Sequence, residues 1–234
     1  MNCFIAYPTY FFLIIFFNLF FLLKMSGNKI ILIYNGSFLR EILPFLRKKH
    51  IIIDYNRNRN FLIPNLNLKD IILKDIFANN KILITAGESN IRYKISKIIP
   101  VPLENIKYHT LISSKSHFID KKSIKIGDGS IICPGVIMTT NISIGNHCHF
   151  NLNSTIGHDS IIGNFVTFSP GVNISGSCKI GNNVFFGTNS SVKNGISICD
   201  NVVVGMNSAV IENITESGIY AGVPARRIKD FDFS

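Results

Sequence analysis

The chain contains no C-x-x-C pair and no block of Lys and Arg interleaved with aromatic residues, and only 16% of its 234 residues are charged. The first absence leaves Cys3, Cys133, Cys148, Cys178 and Cys199 without zinc or redox-motif spacing. An odd number of cysteines without framework spacing reads as free thiols in a reducing compartment. The second absence argues against nucleic acid as a partner. Acidic residues are outnumbered by basic ones in the first half only. Residues 1–122 hold 18 Lys and Arg against 7 Asp and Glu, whereas residues 123–234 hold 6 against 7. The net charge of +10 therefore comes entirely from the N-terminal half. That surplus suits either an anionic ligand or a solvated Lys/Asn-rich surface. At 47% hydrophobic, the chain is apolar for a soluble protein but is no multi-span membrane protein. Its length allows one large domain or two modest ones around a sizeable core.

Residues 3–23 form a run of 21 uncharged residues, long enough to cross a bilayer. The run lacks a basic n-region and a small-residue cleavage site, so it is a poor signal peptide. Pro8 and Asn18 weaken it as a span. After it, Met25 opens a sequence typical of the start of a soluble domain. Three readings of 1–24 stay open: a start site placed too early, a membrane anchor, or a buried helix. The expected location is cytoplasmic, with membrane contact through 3–23 under the second reading.

From Met25 onward, short apolar runs at 29–34, 50–54 and 81–86 read as strands, and 38–49 and 90–99 have near-helical spacing. Pro44 kinks or shortens the first of these helices. Strands alternating with helices predict a small parallel sheet covered by helices over 25–104. Pro100 and Pro102 close that unit, and 105–122 reads as a connection.

The second half, 123–216, is a repeat. Every sixth residue from Ile126 to Val210 is large and apolar, fifteen positions without a break. Gly follows seven of them, at 127, 145, 157, 163, 181, 187 and 205. Four residues past the apolar site comes a small or branched residue, such as Ser130, Cys148, Ser160, Cys178 or Ser208. A period of six is neither helical nor plain alternation; it predicts a β-helix. Each hexad supplies one strand and one corner, and three hexads close a coil of 18 residues. Large side chains fill the bore, small ones fit beside them, and the glycines are expected to permit the bends. A tail, 217–234, follows.

This pattern resembles the hexapeptide-repeat acyltransferases. The likeness narrows to the sialic-acid O-acetyltransferase and UDP-4-amino-sugar N-acetyltransferase branch on four runs: K-I-I-L-I-Y-N-G-S-F-L-R-E-I-L, I-G-H-D-S-I-I-G-N-F-V-T-F-S-P-G-V, G-M-N-S-A-V-I and A-G-V-P-A-R-R-I-K. The resemblance spans about 28–229. It implies an α/β Rossmann-like N-terminal domain followed by an all-β left-handed parallel β-helix, assembled as a homotrimer with sites between protomers. It implies acetyl transfer from acetyl-CoA, without a metal, to an amino or hydroxyl group of a sugar or nucleotide-sugar used in surface glycans. The family's glycine-rich first turn is reduced here to Asn35-Gly36-Ser37 between Tyr34 and Phe38, and Thr167 stands where members usually have a histidine.

Acetyl transfer from a thioester needs a base for the attacking group and a donor for the developing oxyanion. His158 falls two residues after inward Ile156, at an outward corner. The resemblance makes His158 the general base and Asp159 the residue that orients it. Gly176 lies 18 residues on, one coil away, and its backbone N–H is the implied oxyanion donor. For the coenzyme the implied residues are Thr167, Gly205, Ser208, Ala209 and Arg226; for the acceptor they are Asn35, Gly36, Ser37 and Asp54. His147 and His149, at outward sites nearby, do not match the metal spacing of hexapeptide-repeat carbonic anhydrases. The alternative to an enzyme is a non-catalytic trimeric scaffold or binding protein.

Overall fold

The computed structural model describes residues 30–34, 50–54, 80–99 and 106–231. Over most of this length the hexad becomes a three-sided parallel β-solenoid. From Lys125 to Val192 each rung is a two-residue strand that pairs with the one 18 residues later, as His149 with Thr167, Thr155 with Asn173 and Ile161 with Lys179; the first rungs pair at a spacing of 20, as Leu111 with Ile131, and the last at 16, as Val202 with Gly218. One face holds eight strands from Leu111–Ile112 to Arg226–Lys229. The second holds six from His117–Phe118 to Ala209–Val210, and the third five from Lys125–Ile126 to Ser197–Ile198.

The core follows from the period. Of the fifteen apolar hexad positions, fourteen are buried, and only Ile126 on the first rung of its face is half-buried. Phe150, Phe168 and Phe186 stack up the bore with ring centroids 4.5 and 5.2 Å apart. Burying one such ring contributes roughly 1.5–3 kcal/mol, and stacked rings add about 0.5–1.5 kcal/mol. The small inward sites are also fully occupied. Ser130 Oγ donates to Gly145 O and accepts from Cys148 N–H; Ser160 Oγ donates to Ser175 O and accepts from Cys178 N–H. These two hydroxyls thus tie one coil to the next, whereas the Ser190 hydroxyl in the same row is buried without a partner among the described residues. Cys148 and Cys178 are buried free thiols in the same inward row.

The bends differ from expectation. Left-handed backbone occurs three residues after each apolar site from Ile126 to Val204, not at the glycine that follows it. The fourteen positions from 129 to 207 all have φ between 52° and 77°, and six of them are Asn: 141, 153, 183, 189, 201 and 207. Asn tolerates this region better than other residues with a Cβ. The glycine after the apolar residue has another cause. A Cβ on Gly145 would lie 2.7 Å from the backbone of Gly163, and one on Gly163 2.7 Å from that of Gly181. Coil-to-coil approach, not bending, excludes a side chain there.

Two expected boundaries are corrected. The stretch 105–122 is no connection: Lys107–Tyr108 closes the N-terminal sheet, and Leu111–Ile112 and His117–Phe118 are the first rungs of the solenoid. The tail also continues the prism. Gly218–Ala221 adds a parallel strand to Val202–Val204, and Arg226–Lys229 folds back antiparallel on it.

In the N-terminal region, β1 (Ile30–Tyr34), β2 (His50–Asp54), β3 (Lys81–Ile84) and β4 (Lys107–Tyr108) form a parallel sheet in the order β2-β1-β3-β4. Side chains alternate across it. Ile30, Leu32 and Leu83 join the apolar core of the solenoid, whereas Ile33, Ile82 and Ile84 pack with Ile95 and Ile99 at helix α1 (Ser89–Ile98). The sheet is thus shared between the prism and the helix. The segments 35–49 and 55–79, where crossover helices of a Rossmann-like unit would run, lie outside the described residues, as does the apolar stretch 3–23. Among the described residues no helix is long and apolar enough to cross a membrane.

Candidate active site

His158 sits at the edge between the six-stranded and five-stranded faces, directly after the rung Thr155–Ile156. Its ring is 55% exposed in the single chain. Nδ1 lies 2.7 Å from Asp159 Oδ2. The Asp159 carboxylate is an acceptor only, so Nδ1 carries the hydrogen and Nε2 keeps a free lone pair. Asp159 has φ +58°, the left-handed corner conformation, which turns its carboxylate back toward the ring of the preceding residue. Asn141 Nδ2 donates to its other oxygen at 2.6 Å. The bond from Asn141, then the one from His158, holds the Asp159 carboxyl below its ordinary range. It is therefore ionised at neutral pH.

The structure brings Gly176 against this ring. A Cβ on Gly176 would stand 2.5 Å from His158 Nε2 and 2.7 Å from Cε1. Its φ lies outside the left-handed region, so close approach alone is the reason for glycine here. Ser177 N–H donates to His158 O at 2.6 Å, locking the two coils together at this point. Ser175 N–H is also paired, to Val192 O, but Gly176 N–H has no acceptor among the described residues. His158, Asp159 and Gly176 thus form one cluster: an oriented imidazole beside a backbone donor with no partner.

The remaining expected residues are dispersed. Thr167 is buried; its hydroxyl accepts from Arg92 Nη2 at 2.8 Å and donates to Gly87 O at 3.0 Å. It faces the N-terminal sheet region, on a different face from His158. Ser208 turns into the bore, where its hydroxyl accepts from Gly222 N–H. Neither hydroxyl is presented to an outer groove of this chain, because neighbouring backbone groups and Arg92 already engage it. Ala209 lies on the face that ends at His158, in line with Thr155, Asn173 and Ser191. Three rung spacings place it about 14 Å along that face. Gly205 packs against Ala221, on another edge. Arg226 is exposed and paired with Glu212 at 3.3 Å. Asp54 ends β2 opposite Tyr34, while Asn35, Gly36 and Ser37 lie outside the described residues.

His147 and His149 are not outward surface groups. Both are buried where the sheet region meets the prism, and His147 is stacked on Phe165 and edge-on to Tyr108. Burial, then the nearby Arg92 charge, lowers His147 to a pKa of about 4 and His149 well below its ordinary value. Among the described residues no group of three or more His, Cys, Asp or Glu is placed to hold a metal ion.

Arg92 was not foreseen. It is 1% exposed, yet its guanidinium donates to the carbonyls of Ala86, Gly87, His147, Phe165 and Val166 and to Thr167 Oγ1. Burial lowers its pKa to about 10, so it stays charged at neutral pH. Its donors clasp helix α1 to two successive coils, through partners 55–75 residues away in sequence.

With this geometry in hand, the chain can be placed among known proteins. Residues 178–211 match the family model for the hexapeptide repeat of succinyl-transferase. The class defined by fold and repeat is that of the hexapeptide-repeat solenoids. Among curated proteins, the bifunctional protein GlmU of Alkaliphilus oremlandii is 28% identical over 144 residues, 58% of this chain. The match spans only 30% of the length of that relative. Solved structures of the same fold include PerB from Caulobacter crescentus in complex with CoA and GDP-perosamine (TM-score 0.73, 19% identity, 87% of this chain and 98% of that one). WeeI from Acinetobacter baumannii has TM-score 0.70 at 24% identity, over 86% of this chain and all of the other. The acetyltransferase domain of PglB from Neisseria gonorrhoeae, in complex with acetyl coenzyme A, has TM-score 0.70 at 19% identity, over 86% and 100% of the two chains.

Proposed function

We propose that this chain is an acetyl-CoA-dependent acetyltransferase acting on a sugar amino or hydroxyl group, with a nucleotide-activated amino sugar or a sialic acid as acceptor in surface-glycan biosynthesis. The observation that carries the reading is the His158–Asp159 pair held against Gly176. His158 Nε2 takes the proton of the attacking amine or hydroxyl as its nitrogen or oxygen bonds to the thioester carbonyl carbon. The imidazolium so formed rests on the Asp159 carboxylate, in the manner of a triad acid. The carbonyl oxygen becomes an oxyanion facing the Gly176 N–H. As the C–S bond breaks, the proton on His158 passes to the departing thiolate, leaving acetylated sugar and free CoA.

The likeness to PerB, whose structure holds CoA and GDP-perosamine, and to the PglB domain with acetyl coenzyme A supports the substrate class. The small outer residues Thr155, Asn173, Ser191 and Ala209 provide a path along the prism face for the pantetheine arm, with Gly205 and Arg226 near its far end. In this reading the prism is a left-handed β-helix, 25–104 is a Rossmann-like unit that receives the acceptor through Asn35–Ser37 and Asp54, and the working form is a homotrimer. The His158 edge and the Arg92-clasped sheet lie at different edges of one chain, which suits a site completed by a neighbour.

The test is a thiol-release assay with acetyl-CoA and a panel of amino sugars, nucleotide-sugars and sialic acids. His158→Ala lowers the rate by roughly 10²–10⁴-fold. An unchanged rate would overturn the mechanism, and absence of CoA binding in calorimetry would favour a scaffold.

A further inference from the structure

A second residue of the site sits one coil before the acid. Asn141 precedes Asp159 by 18 residues and shares its left-handed corner, with φ of +53° against +58°. The two oxygens of Asp159 are divided: Oδ1 accepts from Asn141 Nδ2 at 2.6 Å, and Oδ2 meets His158 Nδ1 at 2.7 Å. The Asp159 backbone N–H is held by Thr140 O at 3.1 Å. Asn141 is anchored in turn: its N–H donates to Ser123 Oγ at 2.8 Å, and Ser123 Oγ donates to Asp120 O at 3.1 Å. A continuous chain of bonds therefore runs from the first coils to the imidazole.

The bond is more than a rung-to-rung link. Asn183 makes such a link to Asn201 Oδ1 at 2.8 Å, where the acceptor amide leads to no titratable group. At Asn141 the acceptor is a half-exposed carboxylate, free to rotate in water unless both oxygens are held. One hydrogen bond to His158 leaves that rotation open; two bonds from opposite sides fix the plane. We infer that Asn141 is a positioning residue, which fixes the Asp159 carboxylate so that His158 presents Nε2 to Gly176. This rests on the acetyltransferase reading above.

Asn141→Gly and Asn141→Asp both tolerate the left-handed backbone, so both variants keep the corner. In Asn141→Gly the carboxylate loses its anchor. kcat falls roughly ten-fold, the rate equivalent of one charge-assisted hydrogen bond, while KM for acetyl-CoA and the Tm stay near wild type. The acid limb of the pH–rate profile moves to lower pH, because a loosened carboxylate stabilises the imidazolium less. Asn141→Asp brings a second carboxylate to Asp159, with Asp120 the third acid in the cluster, and moves that limb to higher pH. A purely structural asparagine would change the Tm and leave kcat and the limb alone; that result overturns the inference. His158→Ala runs alongside: an inactive His158→Ala with unperturbed Asn141 variants sinks the positioning role only, whereas a fully active His158→Ala sinks the enzyme reading and this inference with it.

Discussion

Two edges of the same column are built from the same hexad and serve different ends. Along one edge stand Asp128, Asn146, Asn164, Asn182 and Asp200, spaced by 18 residues. From Asn146 onward each side-chain Oδ1 accepts the backbone N–H of the residue one coil earlier, at 2.8, 2.8, 2.8 and 2.7 Å in turn. Along the other edge the same register holds Thr140, His158, Gly176 and Asn194. There Gly176 has no side chain to accept the His158 N–H, and Asn194 turns its Nδ2 to Gly176 O at 2.8 Å instead. Among the described residues the N–H groups of His158 and Gly176 have no acceptor. The ladder edge satisfies its orphan donors with its own side chains. The other edge leaves donors open beside an oriented imidazole. An open donor beside an oriented imidazole marks the site more sharply than the histidine alone.

The contrast can be attacked from either edge. Gly176→Ala forces the His158 ring from its seat, because the new methyl would lie 2.5 Å from Nε2. Acetyl transfer should fall by roughly 10²-fold or more while the Tm hardly moves, since the ring is the part that yields. A wild-type rate would show that the contact has no part in catalysis.

On the ladder edge, the buried His147 ties stability to pH. Its folded value of about 4 lies below the ordinary 6.5, so the unfolded chain binds the proton more tightly. Stability is fully present above pH 6.5 and is lost as pH falls through about 4, by on the order of 3 kcal/mol. Denaturant titrations across that range should show the slope, and His147→Phe should reduce it, leaving the part that buried His149 contributes. A slope unchanged in the variant would assign the effect elsewhere.

The smallest change is expected from Asn164→Ala. It hands the exposed Asn146 N–H to water and costs about 0.5–1.5 kcal/mol, with no loss of turnover. Reduced turnover at unchanged stability would reverse the roles of the two edges.

Much of this was legible in the chain itself. The unbroken apolar period from Ile126 to Val210 dictated the solenoid, and counting 18 from His158 placed Gly176 beside it. Misreadings arose where one residue type answers to two causes. The glycines after the apolar sites looked like bend residues; their real constraint is the backbone of the next coil, which only a stacked structure reveals. Leu111 and His117 start the column before the hexad becomes regular, because terminal rungs have only one neighbour to satisfy. Arg92 gave no signal, since its acceptors are almost all backbone carbonyls, which have no letter in the sequence. Asn141 did give one: subtracting 18 from Asp159 reaches it, and a side-chain amide facing a carboxylate across a rung is a natural pair.

Because inward and outward positions recur with a stride of 18 through the middle of the column, insertions and deletions there obey an arithmetic. Loss of a single residue turns every later side chain inside out, whereas excision of a whole coil returns each to its former side. Excision of residues 160–177 would remove Gly176 and seat Asn194 opposite the imidazole. The gene can therefore lengthen or shorten this column in whole storeys, but it can keep the working storey only by leaving that one alone.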